Sequence, residues 1–140
     1  IFLKEDYMDH IEEIIERSLK VKRYVVQEDE KEQGLRKVLN FGHTIGHGIE
    51  ATVEYEELYH GECVALGMIP MCSDKIRDKM ITALKNVGLP TEYKYDKAKV
   101  YEALCHDKKS QGKSITAVKC DEIGTFRFEE MTNEELGKLL

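Results

Sequence analysis

Residues 36–50 read RKVLNFGHTIGHGIE, and the spacing of their side chains decides how the rest of the chain is read. On a helix turning about 100° per residue, Arg36, Asn40, His43, His47 and Glu50 share one stripe, because their spacing nearly closes whole turns. Val38, Gly42, Ile45, Ile49 and Val53 lie on the other side. The pattern predicts a single helix that ends near Val53. A solvated helix face ordinarily carries Lys and Glu. This stripe presents a cation, an amide, two imidazoles and a carboxylate, which are the groups of a binding site. Gly42, Gly46 and Gly48 point the same way. Each glycine in a helix costs about 1 kcal/mol relative to Ala, so three together predict that another element packs closely there. The plainer alternative is a buried helix whose histidines only satisfy hydrogen bonds in a core.

The 140 residues can build a real hydrophobic core. With 41% hydrophobic and 34% charged residues, the composition is that of a globular domain rather than a disordered or fibrous chain. A net charge of −6 without a Lys/Arg block argues against nucleic acid and anionic membranes as partners. The longest apolar run, Cys63 to Cys72, is too short to span a bilayer. Cys63, Cys72, Cys105 and Cys120 form no CxxC pair, so they read as reduced thiols of a cytoplasmic protein. The chain opens at Ile1 and is expected to be part of a longer protein.

Ahead of the central stretch, Ile11, Ile14, Ile15, Ser18, Lys22, Val25 and Val26 recur at helical spacing. They predict a helix over about 7–27 with this row facing inward, Lys22 included. The acidic run QEDEKEQ at 27–33 reads as a connector. Beyond the central stretch, a nearly all-apolar helix is predicted from His60 to about Lys79, kinked at Pro70. A short helix follows over 80–86, stopped by Gly88 and Pro90. Asp96 is a suitable N-cap for a helix from Lys97 to about His106. Residues 114–119 and 125–129 read as a small β-hairpin. Thr132 and Glu135 form a capping-box pattern for a last short helix.

His43 and His47 stand four residues apart, so bare spacing lets both bind one metal. His60 opens the next helix and can fold back toward them. Imidazole suits zinc or iron, and a catalytic zinc needs about three protein ligands. A carboxylate ligand would be Glu50, Glu62 or a group outside this sequence. Lys22, Arg36, Lys108 and Lys109 are candidate anion binders, with Arg offering a fork and Lys a point charge. Lys108 and Lys109 also complement a helix C-terminus.

The segments DEKEQGLRKVLNFGHTIGHGIEA, HGECVALGM, GLP and HDKK, in that order, closely resemble the 3-dehydroquinate synthase family. The resemblance runs from about Lys22 to Gly124 and concerns only that family's C-terminal domain. It implies a mainly α fold with one small hairpin near the C-terminus, residues 1–140 forming a single helical domain. It implies His43 and His60 as ligands of a zinc or cobalt ion. The family's third ligand is a glutamate in an AEVIK-like stretch, which this sequence lacks. It implies His47 as the substrate-contacting histidine of a proton-transfer network, with Glu32 as its partner. Lys22, Arg36, Asn40 and Lys109 correspond to residues that hold the substrate's carboxylate and phosphate.

The activity so implied is conversion of 3-deoxy-D-arabino-heptulosonate 7-phosphate to 3-dehydroquinate and phosphate, a shikimate-pathway step toward the aromatic amino acids. NAD would be bound by the family's N-terminal domain, absent here, and the full-length protein would be a homodimer. The fragment alone is then expected to be inactive and to bind zinc weakly, through two histidines. Gly48 stands where the family usually has Ala, which bears on packing. Competing readings are another sugar-phosphate cyclase or a metal-dependent alcohol dehydrogenase of the same superfamily, or a helical module without catalysis.

Overall fold

A computed structural model describes residues 1–4, 6–31, 33–53, 57–107 and 114–140. After a 3-10 turn at Tyr7–His10 come α1 (Ile11–Glu28), a 3-10 helix at Leu35–Asn40, α2 (His43–Glu50), α3 (His60–Met68), a 3-10 turn at Ile69–Met71, α4 (Asp74–Asn86) and α5 (Lys97–Asp107). The antiparallel hairpin of β1 (Ile115–Lys119) and β2 (Arg127–Met131) and the short α6 (Asn133–Gly137) complete the order. The mainly helical fold with one hairpin is as expected.

The central stretch is not one helix. Its first half, carrying Arg36 and Asn40, is 3-10, and the chain turns at Phe41–Gly42 before α2 begins. Gly42 has φ 79°, a left-handed conformation in which a side chain would be strained. The single stripe from Arg36 to Glu50 therefore divides. Only His43, His47 and Glu50 share a helix.

The glycines do what their density implied. A Cβ on Gly67 of α3 would lie 2.1 Å from the Gly42 carbonyl oxygen and 2.7 Å from the Gly46 nitrogen. A Cβ on Gly46 would meet the Val64 backbone at 2.9 Å. Gly42 thus faces Gly67, Gly46 faces Cys63 and Val64, and Glu50 reaches His60. This register runs the two helices antiparallel at backbone contact. Gly48 faces α5 instead, where a Cβ would meet Leu104 and Val100 side chains at 3.0 and 3.2 Å.

Around this contact the core gathers Ile45 and Ile49 of α2, Cys63 and Leu66 of α3, Val100 and Leu104 of α5, Ala117, Met131 and Leu136. Burying side chains of this size stabilises by roughly 1.5–3 kcal/mol each. The segment after α3 departs from expectation. Pro70 sits in a 3-10 turn that ends the helix, and Cys72 pairs with Cys120 beyond β1. Ser73 then precedes a full helix where only a short one was expected. All four cysteines are free thiols.

α1 covers the expected helix from Ile11 onward, its first four residues being the 3-10 turn, but not with the expected burial. Only Val25 of its row is buried, while Ile15 is 52% exposed, and Ser18 and Lys22 are exposed too. Helical spacing establishes which side chains share a face, not what that face meets. Among the described residues, no helix is long and apolar enough to cross a membrane.

Two glycine substitutions separate backbone contact from side-chain contact. Gly67→Ala is expected to destabilise by about 2–3 kcal/mol or more, since backbone must shift to admit the methyl. Gly48→Ala is expected to stay within about 1 kcal/mol of the parent, because the helix-propensity gain offsets a small displacement of Leu104. Urea unfolding of the two variants measures the contrast.

Candidate functional site

α2 and α3 bring three imidazoles to one point. His43 opens α2, His47 lies one turn further along it, and His60 opens α3. The ring centroids are 5.4 Å apart for His43–His47, 5.5 Å for His43–His60 and 5.6 Å for His47–His60. One ligand nitrogen from each ring lies within 4.8 Å of the other two. His43 is half-buried and the others are exposed, so the cluster sits at the surface of the helix pair and is not a set of core histidines.

Two of the rings are oriented by partners behind them. The His60 Nδ1 lies 3.0 Å from the Glu50 carboxylate, and the His43 Nδ1 lies 3.3 Å from the Phe41 carbonyl oxygen. With a proton on each Nδ1, the two Nε2 lone pairs are left for a ligand. Such partners behind imidazoles are what fixes tautomer and ring direction in metal sites. The donor set therefore fits a divalent ion of the zinc type. Glu50, one of the candidate carboxylate ligands, is an orienting group in this arrangement. Glu62, another, accepts the Tyr59 N–H at 2.7 Å at the start of α3. The Cys63 thiol faces the core, and burial, then the charge of Glu50, pushes its pKa up. It offers no thiolate to compete for a metal.

A cavity of about 750 Å³ opens beside the imidazoles, within the range of small-molecule sites. Asn40, His43, Thr44 and His47 line one side of it, and Leu104, His106 and Thr116 the other. Asn40 thus joins the histidines although it stands outside α2. Arg36 is half-buried on the same 3-10 helix, with its Nη1 donating to the Glu30 carbonyl at 2.9 Å. Lys22 lies on an exposed part of α1 and does not line this cavity. Glu32 and Lys109, with its neighbour Lys108, lie outside the described residues.

Sequence reasoning missed Asp29. Its carboxylate accepts the backbone N–H groups of Gln33, Gly34 and Arg36 at 2.9, 2.7 and 2.9 Å. It thereby fixes the entry to the segment that carries Arg36 and Asn40. The Arg36 N–H, followed by those of Gln33 and Gly34, holds the Asp29 pKa below its ordinary 3.8. The available signal was an Asp a few residues before Gly34, the kind of residue that organises local backbone.

Residues 2–110 match the family model described as 3-dehydroquinate synthase C-terminal. The 3-dehydroquinate synthase of Lactococcus lactis subsp. cremoris MG1363 is 45% identical over 140 residues, covering 93% of this chain and 39% of the relative. That of Streptococcus sanguinis SK36 is 41% identical over 146 residues, covering 97% and 41%. The chain thus spans about two fifths of the length of these curated relatives. Among solved structures, a 2-epi-5-epi-valiolone synthase from Streptomyces hygroscopicus, with NAD+ and Zn2+ bound, superposes with a TM-score of 0.74 at 19% identity, covering 90% of this chain and 38% of its own. A 2-deoxy-scyllo-inosose synthase complexed with carbaglucose-6-phosphate, NAD+ and Co2+ gives 0.69 at 22% identity, covering 86% and 38%. At these identities the two structures establish the shared fold.

Asp29 yields a pH test. Because its folded pKa is depressed, the stabilisation it adds is present above the ordinary carboxylate value and is lost as pH falls through the lowered one. The urea midpoint of the parent is expected to exceed that of Asp29→Asn by a constant margin near neutrality. The margin should shrink below about pH 4 and vanish in stronger acid. A margin unchanged down to that acid would contradict the assigned role of the charge.

Proposed function

Because the chain belongs to the 3-dehydroquinate synthase C-terminal family, we propose that it is the metal- and substrate-binding part of an enzyme that makes 3-dehydroquinate. The substrate would be 3-deoxy-D-arabino-heptulosonate 7-phosphate and the co-product phosphate. The observation that supports this most directly is the convergence of His43 and His60, from two helices, beside a cavity that Asn40 and His47 also line. The greater part of each relative lies outside the matched segment. NAD and a third metal ligand are proposed to come from there, and the 140 residues alone to be inactive. The reading extends to a cytoplasmic homodimer acting in aromatic amino acid biosynthesis.

Each residue then has a physical task. His43 and His60 hold the ion through Nε2, with Phe41 and Glu50 keeping the rings in place. When bound, a divalent ion supplies Lewis acidity, lowering the pKa of a coordinated hydroxyl. His47 stands one turn from His43 and can accept or return a proton at its free ring nitrogen, as general acid–base catalysis requires. Asn40 and Arg36 hold the substrate's anionic groups, Arg36 by releasing the Glu30 carbonyl for a carboxylate or phosphate, a stronger partner. Positioning of this kind reduces the entropy lost in reaching the reactive geometry. Glu32, Lys22 and Lys109 join the scheme through the family resemblance alone.

The identities above 40% to 3-dehydroquinate synthases favour this substrate over those of the two cyclases, which share the fold at 19% and 22%. The full-length protein with NAD is expected to release phosphate from the seven-carbon acid phosphate and not to oxidise simple alcohols. His43→Ala and His60→Ala should each lower kcat/KM by about 100-fold or more. Arg36→Ala should lower it by about 10- to 150-fold, the loss of a charged hydrogen bond worth about 1.5–3 kcal/mol. Continuous phosphate release measures all three, and full activity in His43→Ala would overturn the assignment.

A further inference from the structure

α1 is amphipathic, and the described residues cover only one end of its apolar side. At about 100° per residue, Ile11, Ile14, Ile15, Leu19, Val21 and Val25 fall within one arc of about 160°. The opposite side carries the ion pairs Glu13–Arg17 and Glu16–Lys20, both at 2.6 Å, as a solvated helix face does. Within the arc, burial changes along the axis. Val25, in the last turns, is buried and Ile14 half-buried. Leu19 is 62% and Val21 60% exposed, and Ile11 and Ile15 are exposed with them. α1 packs chiefly on the 3-10 turn before it and the 3-10 helix after it. A helix of 18 residues is only marginally stable in water without packing along its apolar face. Neighbouring aliphatic side chains left in the open mark an interaction surface.

We propose that the apolar arc of α1 is a docking face for the part of the protein that precedes Ile1, and that Ile11, Ile15, Leu19 and Val21 are buried against it in the whole molecule. The proposal rests on the reading of the chain as one part of a longer synthase. The matched segment is 39% and 41% of the two relatives, so most of such a protein is available to cover the face. The matching family model is a C-terminal one, which puts that remainder ahead of Ile1, on the side from which α1 starts. A second copy is the poorer occupant. Parallel pairing of two α1 helices would set Lys22 against Lys22, and antiparallel pairing would set it against an aliphatic side chain. The surface that fits is apolar opposite Ile15 and Leu19 and leaves the Lys22 ammonium a path to water or to an anion. A covered α1 is also a fixed one. Its C-cap is Asp29, whose carboxylate holds the Arg36 N–H, so docking steadies the base of the segment that carries Arg36 and Asn40.

The test uses the full-length protein, labelled with a maleimide and mapped by peptide mass. Ile15→Cys and Leu19→Cys are expected to react about 100-fold more slowly than Lys20→Cys on the opposite side, since a packed face reacts only through local opening. Equal rates would overturn the proposal. The occupant is identified from Glu12→Cys, at the rim of the arc, carrying a benzophenone. Light should join it to a peptide that precedes Ile1, in a product with the mass of one chain. A product with the mass of two chains, or one joined only within the 140 residues, also overturns the proposal. Phosphate release by the same samples is a separate readout. A protein that turns over the seven-carbon substrate while Ile15→Cys and Leu19→Cys label freely loses the docking face and keeps the proposed function. An inactive protein with both positions protected and the cross-link in place keeps the docking face and loses the proposed function.

Discussion

The contact on which the rest depends is backbone against backbone. α2 and α3 touch through Gly42, Gly46 and Gly67, at separations where any added Cβ would clash with main-chain atoms. Glycine weakens a helix, and α2 has only eight residues, far below the length at which helices hold by themselves. Packing must therefore supply what propensity does not. The close approach lets Ile45 and Ile49 sink to 1% exposure, and it sets the distance between the helix ends. Were the axes held apart by ordinary side chains, as they are in most helix pairs, His60 would stand off from His43 and His47. The convergence of the three imidazoles is thus a consequence of three missing methyl groups.

A second layer of the design is the use of carboxylates at one remove. Glu50 orients His60, Asp29 ties down the start of the 3-10 helix, and Glu62 caps α3. None of the three needs to touch a substrate to matter for it. Each ties down by hydrogen bonds an element that carries His60 or Arg36 and Asn40. Asp29, Glu50 and Glu62 are in this way engaged with backbone donors or an imidazole.

The legible parts of the sequence were those governed by local pattern. The glycine density announced a close packing partner, the GHTIGH spacing placed two imidazoles together, and Thr132 with Glu135 marked the cap of α6, where the threonine hydroxyl accepts the Glu135 N–H. What stayed hidden depends on conformation or distance. A left-handed glycine and a helical one look alike in a periodic count, so the helical pattern runs straight through the turn at Gly42. Asp29 acts on Arg36, seven residues away, across a run that reads only as acidic. Pro70 signals a disturbance, and in the structure it lies in the 3-10 turn that ends α3, after which Cys72 pairs with Cys120. The apolar row of α1 suggests an inward face that is mostly exposed, because periodicity names a face without its neighbour. Glu32 and Lys109 rest on resemblance, since they lie outside the described residues.

α2 also shows why chemistry and stability can be altered separately here. Its buried side, Ile45, Gly46, Gly48 and Ile49, is packed between α3 and α5. Its open side, His47 and Glu50, is exposed, and His43 is half-buried at the start of the helix. An exposed imidazole adds little to a core, so replacing it removes a candidate ligand without opening a cavity. A buried glycine adds no contact surface of its own, yet replacing it displaces a backbone. The side chains that look functional are therefore the ones the fold can lose. The residues that look like nothing are the ones it cannot, because they fix where the functional ones stand.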